Sequence, residues 1–160
     1  MKFPLHFLLA AALCLTAVSP SLRAEPAAPA VAGIFNGNDK PAALAFVSAR
    51  KGEPVFGKET IVIIFSEKDH SKAVKPEHKA GFGDFGSALV VTVNSEGQIV
   101  STQVAHSAHG KGSFSSGGTL KMSDFKNADG EVQGKMSTGG VSEFFKKTWE
   151  VELTFHTKAP

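Results

Sequence analysis

The sequence predicts an all-β protein, and three observations support that prediction. Apolar and polar residues alternate with a period of two along most of the chain, most clearly over residues 148–155. Asn, Asp and Gly residues of the kind found in tight turns separate these runs. No long segment with the apolar period of a helix stands between them. We therefore expect an antiparallel β-sandwich of immunoglobulin-like type, with a closed antiparallel β-barrel as the alternative.

The first 24 residues predict a signal peptide. Lys2 gives a charged start, an apolar run covers residues 7–18, and residues 22–24 (Leu-Arg-Ala) form a cleavage site. The apolar run of about a dozen residues is shorter than the roughly 20 that a membrane span needs. We therefore expect export to the periplasm or the medium without membrane insertion after cleavage. Residues 25–32 (EPAAPAVA) then form a Pro/Ala spacer before a single domain over residues 33–160.

Eight runs are predicted as strands. The run over residues 60–66 is apolar on both faces, as is much of residues 87–94, so these two strands should lie inside a sheet. Trp149 opens the apolar face of the last run and is expected to pack in the core. The eight runs cover residues 31–36, 42–50, 60–66, 87–94, 98–105, 118–125, 131–137 and 148–155.

Composition and charge exclude several classes of protein. The chain has 160 residues, of which 42% are hydrophobic and 20% charged, and these values are not those of a disordered chain or a coiled coil. Its net charge of +2 comes from Lys2 and Arg23 in the signal, and the remainder is balanced, which excludes a basic nucleic-acid surface. The single cysteine, Cys14, also lies in the signal. The mature chain therefore has neither a disulfide nor a catalytic thiol.

The long connections should lie together. If successive strands run antiparallel, the connections after the third, fifth and seventh predicted strands share one end of the domain. These are residues 67–86, 106–117 and 138–147, each longer than the usual 4 to 6 residues. We call this the loop end, and it is where function is expected, because loops on a rigid scaffold carry most binding sites.

Four histidines lie in two of these loops. Residues 67–86 contain His70 and His78, and residues 106–117 contain His106 and His109. Neutral imidazole is a common ligand of Zn and Cu, so converging loops would make these four side chains a metal site. A bent backbone is needed for His106 and His109 to point the same way. The alternative is that the loops are simply solvated, because lysines in the first loop repel a cation.

Phe144 and Phe145 are the candidates for a hydrophobic partner contact. They are adjacent in the third loop, so one of them must point outward unless the loop folds back.

Matches to catalytic motifs are incomplete. Residues 81–86 spell G-x-G-x-x-G but precede a strand instead of opening a helix, so the expected role of Phe82 and Phe85 is to cap the core. Residues 48–51 and 123–126 spell S-x-x-K without the other elements of such sites. A small hydrolase could combine His106 or His109 with a nearby serine, but the sequence has no nucleophile elbow. The serines considered are Ser113, Ser115 and Ser116, with Asp69 as the third member.

Four segments resemble small uncharacterised secreted bacterial β-sandwich proteins. They are residues 33–37 (GIFNG), 60–66 (TIVIIFS), 129–135 (DGEVQGK) and 149–155 (WEVELTF). The resemblance spans most of the mature chain and implies the fold. It implies no activity and no catalytic residues.

The function expected from the sequence is recognition. We expect a binding or accessory protein, not an enzyme, that uses the loop end to contact a protein or small ligand and needs no cofactor. A Zn- or Cu-binding protein is the first alternative, and a small hydrolase is the second.

Overall fold

The computed structural model describes residues 30–160 and consists of two antiparallel β-sheets packed face to face. The sheets are not closed into a barrel, so the predicted antiparallel sandwich is confirmed. The predicted signal and residues 25–29 of the spacer lie outside the described residues. Within residues 30–160, no helix has the length and apolar character needed to cross a membrane.

Eleven strands and one α-helix form the described part of the chain. They are β1 (Val31–Gly37), β2 (Lys40–Pro41), β3 (Phe46–Lys51), β4 (Thr60–Ser66), α1 (Pro76–Gly81), β5 (Ala88–Asn94), β6 (Ile99–Ala105), β7 (Phe114–Ser115), β8 (Lys121–Ala128), β9 (Glu131–Ser137), β10 (Ser142–Phe144) and β11 (Lys147–Lys158).

Strands β3 to β7 form one sheet in their sequence order, and the remaining strands form the other sheet. Sheet A has the order β2-β1-β11-β9-β8, with β10 paired to the start of β11, and sheet B has the order β3-β4-β5-β6-β7. β1 and β11 pair antiparallel from Val31–Phe155 to Gly37–Trp149. Both strands predicted to lie inside a sheet, now β4 and β5, have a partner on each side.

The main core lies between the sheets. In β11, Trp149, Val151, Leu153 and Phe155 are all buried, which confirms the predicted alternation and the packing of Trp149. The edge of the Phe155 ring meets the ring of Phe65 from sheet B, with centroids 5.2 Å apart. Burial of these large side chains supplies most of the favourable free energy of folding.

A second, smaller core covers the outer face of sheet B. Ala80 of α1 is buried in one cluster with Ile64, Ala88, Val90 and Ala105. This cover explains why the sequences of β4 and β5 are apolar on both faces.

Helix α1 was not expected within residues 67–86. It has only six residues and begins at Pro76, so it is too short for its apolar period to be visible, and contact with the sheet stabilises it. The expected role of Phe82 in capping the core is wrong, because its side chain is exposed. The half-buried Phe85 does pack against a core, the second one.

Three tight turns close hairpins of sheet A, and the first, Asn38 and Asp39, joins β1 to β2. Asp129 and Gly130 join β8 to β9, both with positive φ, so β8 extends to Ala128 where the sequence had predicted a longer connection. Phe145 and Lys146 join β10 to β11, with φ of 48° and 62°. Two positive φ angles are typical of a type I′ turn, which favours Asn-Gly. Phe145 and Lys146 are therefore held in a strained conformation.

Replacing Lys146 by glycine is expected to stabilise the protein by about 0.5–1 kcal/mol. Glycine adopts positive φ without the steric penalty, which outweighs its larger loss of backbone entropy on folding. Urea unfolding followed by circular dichroism measures the effect. The control is Lys147→Gly, one residue later inside β11, which should lower stability. A loss of stability in Lys146→Gly as well would contradict strain at this turn.

Candidate functional site

The three long connections meet at one end of the sandwich. The Ser107 amide in the second connection donates to Ser87 Oγ, directly after the first, over 3.1 Å. The Phe114 ring of the second connection stacks on Phe144 of the third, with centroids 5.0 Å apart and planes 12° apart. The loop end expected from the antiparallel order is therefore present.

His106 is a buried side chain that anchors the second connection. A 3-10 turn over Ser107–His109 bends the chain, and the Ala108 amide donates to His106 Nδ1 over 3.1 Å. The ring is 2% exposed and lies against Gly37, where a Cβ atom would come within 2.5 Å of it. Burial lowers the pKa of His106 below its ordinary value of 6.5, and the charge of His109 lowers it further.

His109 is the neighbour of His106, with ring centroids 5.3 Å apart. Its Nε2 donates to the carbonyl oxygen of Thr148 over 2.8 Å, which leaves the lone pair on Nδ1. His106 has the opposite arrangement, because its Nδ1 accepts a hydrogen bond and its proton therefore lies on Nε2. Neither His106 Nε2 nor His109 Nδ1 has a hydrogen-bond partner among the described residues. The pair thus presents one donor and one acceptor, whereas a shared metal ion needs two lone pairs.

The other two histidines lie elsewhere. His70 is buried under the first connection, bonded to Ser48 and Ser66, and His78 is exposed on α1. Across residues 30–160, no group of three or more His, Cys, Asp or Glu side chains is placed to hold a metal ion. The structure therefore brings His106 and His109 together and separates them from His70 and His78.

Two of the three serines considered for a hydrolase at the loop end, Ser113 and Ser116, make other contacts. Ser113 Oγ accepts a hydrogen bond from Gln103, and Ser116 Oγ donates to Thr119. In the hydrogen bonds of the described chain, His106 and His109 bind main-chain atoms and no serine hydroxyl.

An array of aromatic rings connects the core to the surface of the loop end. The edge of Trp149 meets Phe114, Phe114 stacks on Phe144, and Phe145 meets Phe144 edge-on at 4.6 Å. Lys147 Nζ lies 5.9 Å from the centre of the Phe114 ring. Phe144 is half-buried, while Phe145 is 85% exposed, so one of the two adjacent phenylalanines does point outward. We call Phe114, Phe144 and Phe145 the aromatic tip.

A groove lies beside α1 that the sequence analysis did not predict. Two adjoining cavities of about 360 and 570 Å³ lie on the outer face of sheet B and share a floor that includes Val62 and Thr92. Glu77 and His78 of α1 form one wall, and Arg50 of β3 pairs with Glu77 over 2.7 Å. The signal that could have predicted it is the apolar outer face of β4 and β5, which needed a cover.

Comparison with known proteins identifies no relative: no family model, no curated protein and no solved structure matches the chain.

Proposed function

We propose that the protein is an exported binding or accessory protein that recognises a partner protein through the aromatic tip. The observation that carries this proposal is the conformation of Phe145. Its side chain is 85% exposed, and its backbone has a φ of 48°.

Phe145 carries two separate energetic costs. A bulky residue with positive φ is strained by about 1 kcal/mol or more, and its neighbour Lys146 shares that strain. An exposed aromatic ring at the end of a hairpin also leaves apolar surface in water. Neither the strained backbone nor the exposure of the ring stabilises the fold, whereas binding a partner would remove the apolar surface of Phe145 from water.

The aromatic tip is suited to binding because it is already ordered. Phe145 rests on Phe144, which is stacked on Phe114, and Trp149 fixes that ring from the core. Rigid aromatic anchors lose little entropy on binding, and such residues dominate the energetics of protein interfaces.

Charge defines the chemistry of the partner. Lys146 and Lys147 follow Phe145 directly, and Lys146 is exposed. The complementary surface is an apolar socket bordered by carboxylates, which a protein partner supplies.

Site-specific photocrosslinking tests the proposal. p-Benzoylphenylalanine is placed at position 145 in the producing cells, the chain is irradiated in its exported location, and adducts are identified by mass spectrometry. The matched control is position 56, because Phe56 is likewise an exposed phenylalanine with positive φ in a tight turn. It lies between β3 and β4, at the opposite end of the sandwich. We expect a discrete protein adduct from position 145 that position 56 does not form.

Three other outcomes would overturn the proposal. They are equal adducts from both positions, adducts with lipid alone, and adducts only with a second copy of the chain. Changing Lys146 and Lys147 to Glu should also abolish the adduct while leaving the circular dichroism spectrum unchanged.

A further inference from the structure

A hydrogen-bonded chain of Ser48, His70 and Ser66 lies on the outer side of sheet B, apart from the aromatic tip. Ser48 Oγ lies 2.7 Å from His70 Nε2, and Ser66 Oγ lies 2.6 Å from His70 Nδ1. Ser66 Oγ also lies 2.7 Å from the carbonyl oxygen of Lys68. These are the separations at which a histidine activates a nucleophile and is itself oriented by a third group.

The direction of each hydrogen bond follows from the Lys68 carbonyl. That oxygen can only accept, so Ser66 donates its single hydroxyl proton to it. Ser66 Oγ must then accept from His70, which places the imidazole proton on Nδ1. The lone pair of His70 is therefore on Nε2, and Ser48 donates its hydroxyl proton to it. This polarity is the one that general-base activation of a serine requires.

We propose that Ser48 is an activated nucleophile that accepts acyl groups from small activated carboxylic esters, with His70 as the base. Ser48 Oγ attacks the ester carbonyl carbon as His70 Nε2 takes the hydroxyl proton. The bond from carbon to the leaving oxygen breaks, and that oxygen receives the proton from His70. Water then attacks the acyl carbon as His70 Nε2 takes its proton. The bond from that carbon to Ser48 Oγ breaks, and His70 returns the proton to Ser48 Oγ, which releases the carboxylic acid and restores the serine.

Ser48 can be reached from the outer side of sheet B. Val47 and Ala49 pack on the main core, so Ser48 between them faces the outer side of sheet B, where it is half-exposed. His70 is 3% exposed, and burial lowers its pKa, so the ring is neutral and able to accept a proton at pH 7.

The lysine of the S-x-x-K motif is not the base. Lys51 Nζ pairs with Glu59 over 3.1 Å, at an exposed position. Asp69 is not the orienting group either. Its carboxylate accepts the Ser71 amide over 2.8 Å, and its charge acts on His70 only by opposing the lowering of the His70 pKa by burial. Ser66 is therefore the positioning residue of the site, and within residues 30–160 His70 is the only hydrogen-bond partner of Ser48 Oγ.

Labelling with a biotinylated fluorophosphonate and turnover of p-nitrophenyl acetate test the proposal on the mature protein. We expect one label per chain, mapped to Ser48 by peptide mass spectrometry, and a matching burst of p-nitrophenolate. Ser48→Ala should lose both. The matched control is Ser123→Ala, which removes the serine of the other S-x-x-K segment and should behave as wild type.

Variants of the other two residues separate activation from folding. His70→Asn should slow labelling by at least 100-fold, and the wild-type rate should fall at acid pH as His70 is protonated. Ser66→Ala should shift that pH profile, and Ser66→Thr, which retains the hydroxyl, should restore it. The proposal is wrong if wild type is unlabelled, or if the label lies on another residue. It is also wrong if folded His70→Asn is labelled at the wild-type rate.

Discussion

Replacing Gly33 by alanine is expected to cost at least about 3 kcal/mol of folding free energy, which is a large part of the stability of an ordinary domain. Gly33 has a φ of 130°, where residues with a side chain are rarely found. It also pairs with Leu153 of β11, and an added Cβ would overlap the main-chain carbonyl of Glu152. The strand pairing that joins β1 to β11 would have to separate. Urea unfolding of the purified variant measures the loss.

Gly83→Ala is the matched control for this prediction. Gly83 also has positive φ, at 81°, but no heavy atom lies within 4 Å of the position of an added Cβ. Its replacement should cost only about 1 kcal/mol, which is the backbone penalty alone. If the two variants lost equal stability, close approach of β11 to Gly33 would not be the cause.

The eight longer strands could be predicted because the residue pattern of each reflects its own surroundings, whereas β2, β7 and β10, with only two or three residues each, were not predicted. β11 alternates strictly because one face packs in the core and the other meets water, and that pattern is visible without knowing its partners. Helix α1 could not be found in the same way, because its six residues depend on contact with sheet B for their stability. The apolar outer faces of β4 and β5 indicated that a cover was needed but not which segment supplies it.

In the candidate sites as well, contacts between residues close in sequence could be predicted, whereas contacts that depend on strand pairing could not. His106 and His109 are three residues apart, so a single bend accounts for their contact, and sequence spacing could predict it. Ser48 and His70 are 22 residues apart, and their contact depends on the pairing of β3 with β4 and on the path of the following loop. The arrangement of Phe144 and Phe145 could be predicted only in part. Adjacency indicated that one would be exposed, but the stack on Phe114 required the fold.

Replacing His106 by alanine is expected to destabilise the protein by about 2–3 kcal/mol. The variant leaves a cavity beside Phe35, whose ring meets His106 edge-on with centroids 5.0 Å apart. It also leaves the Ala108 amide without its acceptor. Replacing a histidine in a solvated loop would change stability very little. The measurement therefore also distinguishes a loop anchored by a buried His106 from a loop that is simply solvated.

His78→Ala is the control, because His78 is exposed on α1. Its effect should stay within about 0.5 kcal/mol of wild type. Equal effects of the two substitutions would contradict a structural role for His106.

The burial of His106 also makes stability sensitive to mild acid. Its pKa is lowered first by burial and then by the charge of His109, while Glu67 and the carbonyls of Phe35 and Lys40 oppose the shift. Below about pH 6.5 the unfolded chain therefore takes up the proton before the folded chain does, and the free energy of unfolding falls as the pH falls through that window. Protonation of Nδ1 would also set two donors against each other at the Ala108 amide, which loosens the turn over Ser107–His109.

Unfolding measured between pH 7.5 and pH 5 tests this acid sensitivity. Wild type and His78→Ala should lose stability in parallel across the window. In His106→Ala the free energy of unfolding should fall less steeply as the pH falls. The decrease that remains is due to His70, because burial also lowers the pKa of that residue. Asp69 and Asp124 have lowered pKa values and begin to lose their contribution only near pH 4, so they do not affect this range. If the free energy of unfolding of His106→Ala depended on pH as steeply as that of wild type, protonation of His106 would not be a cause of the acid sensitivity.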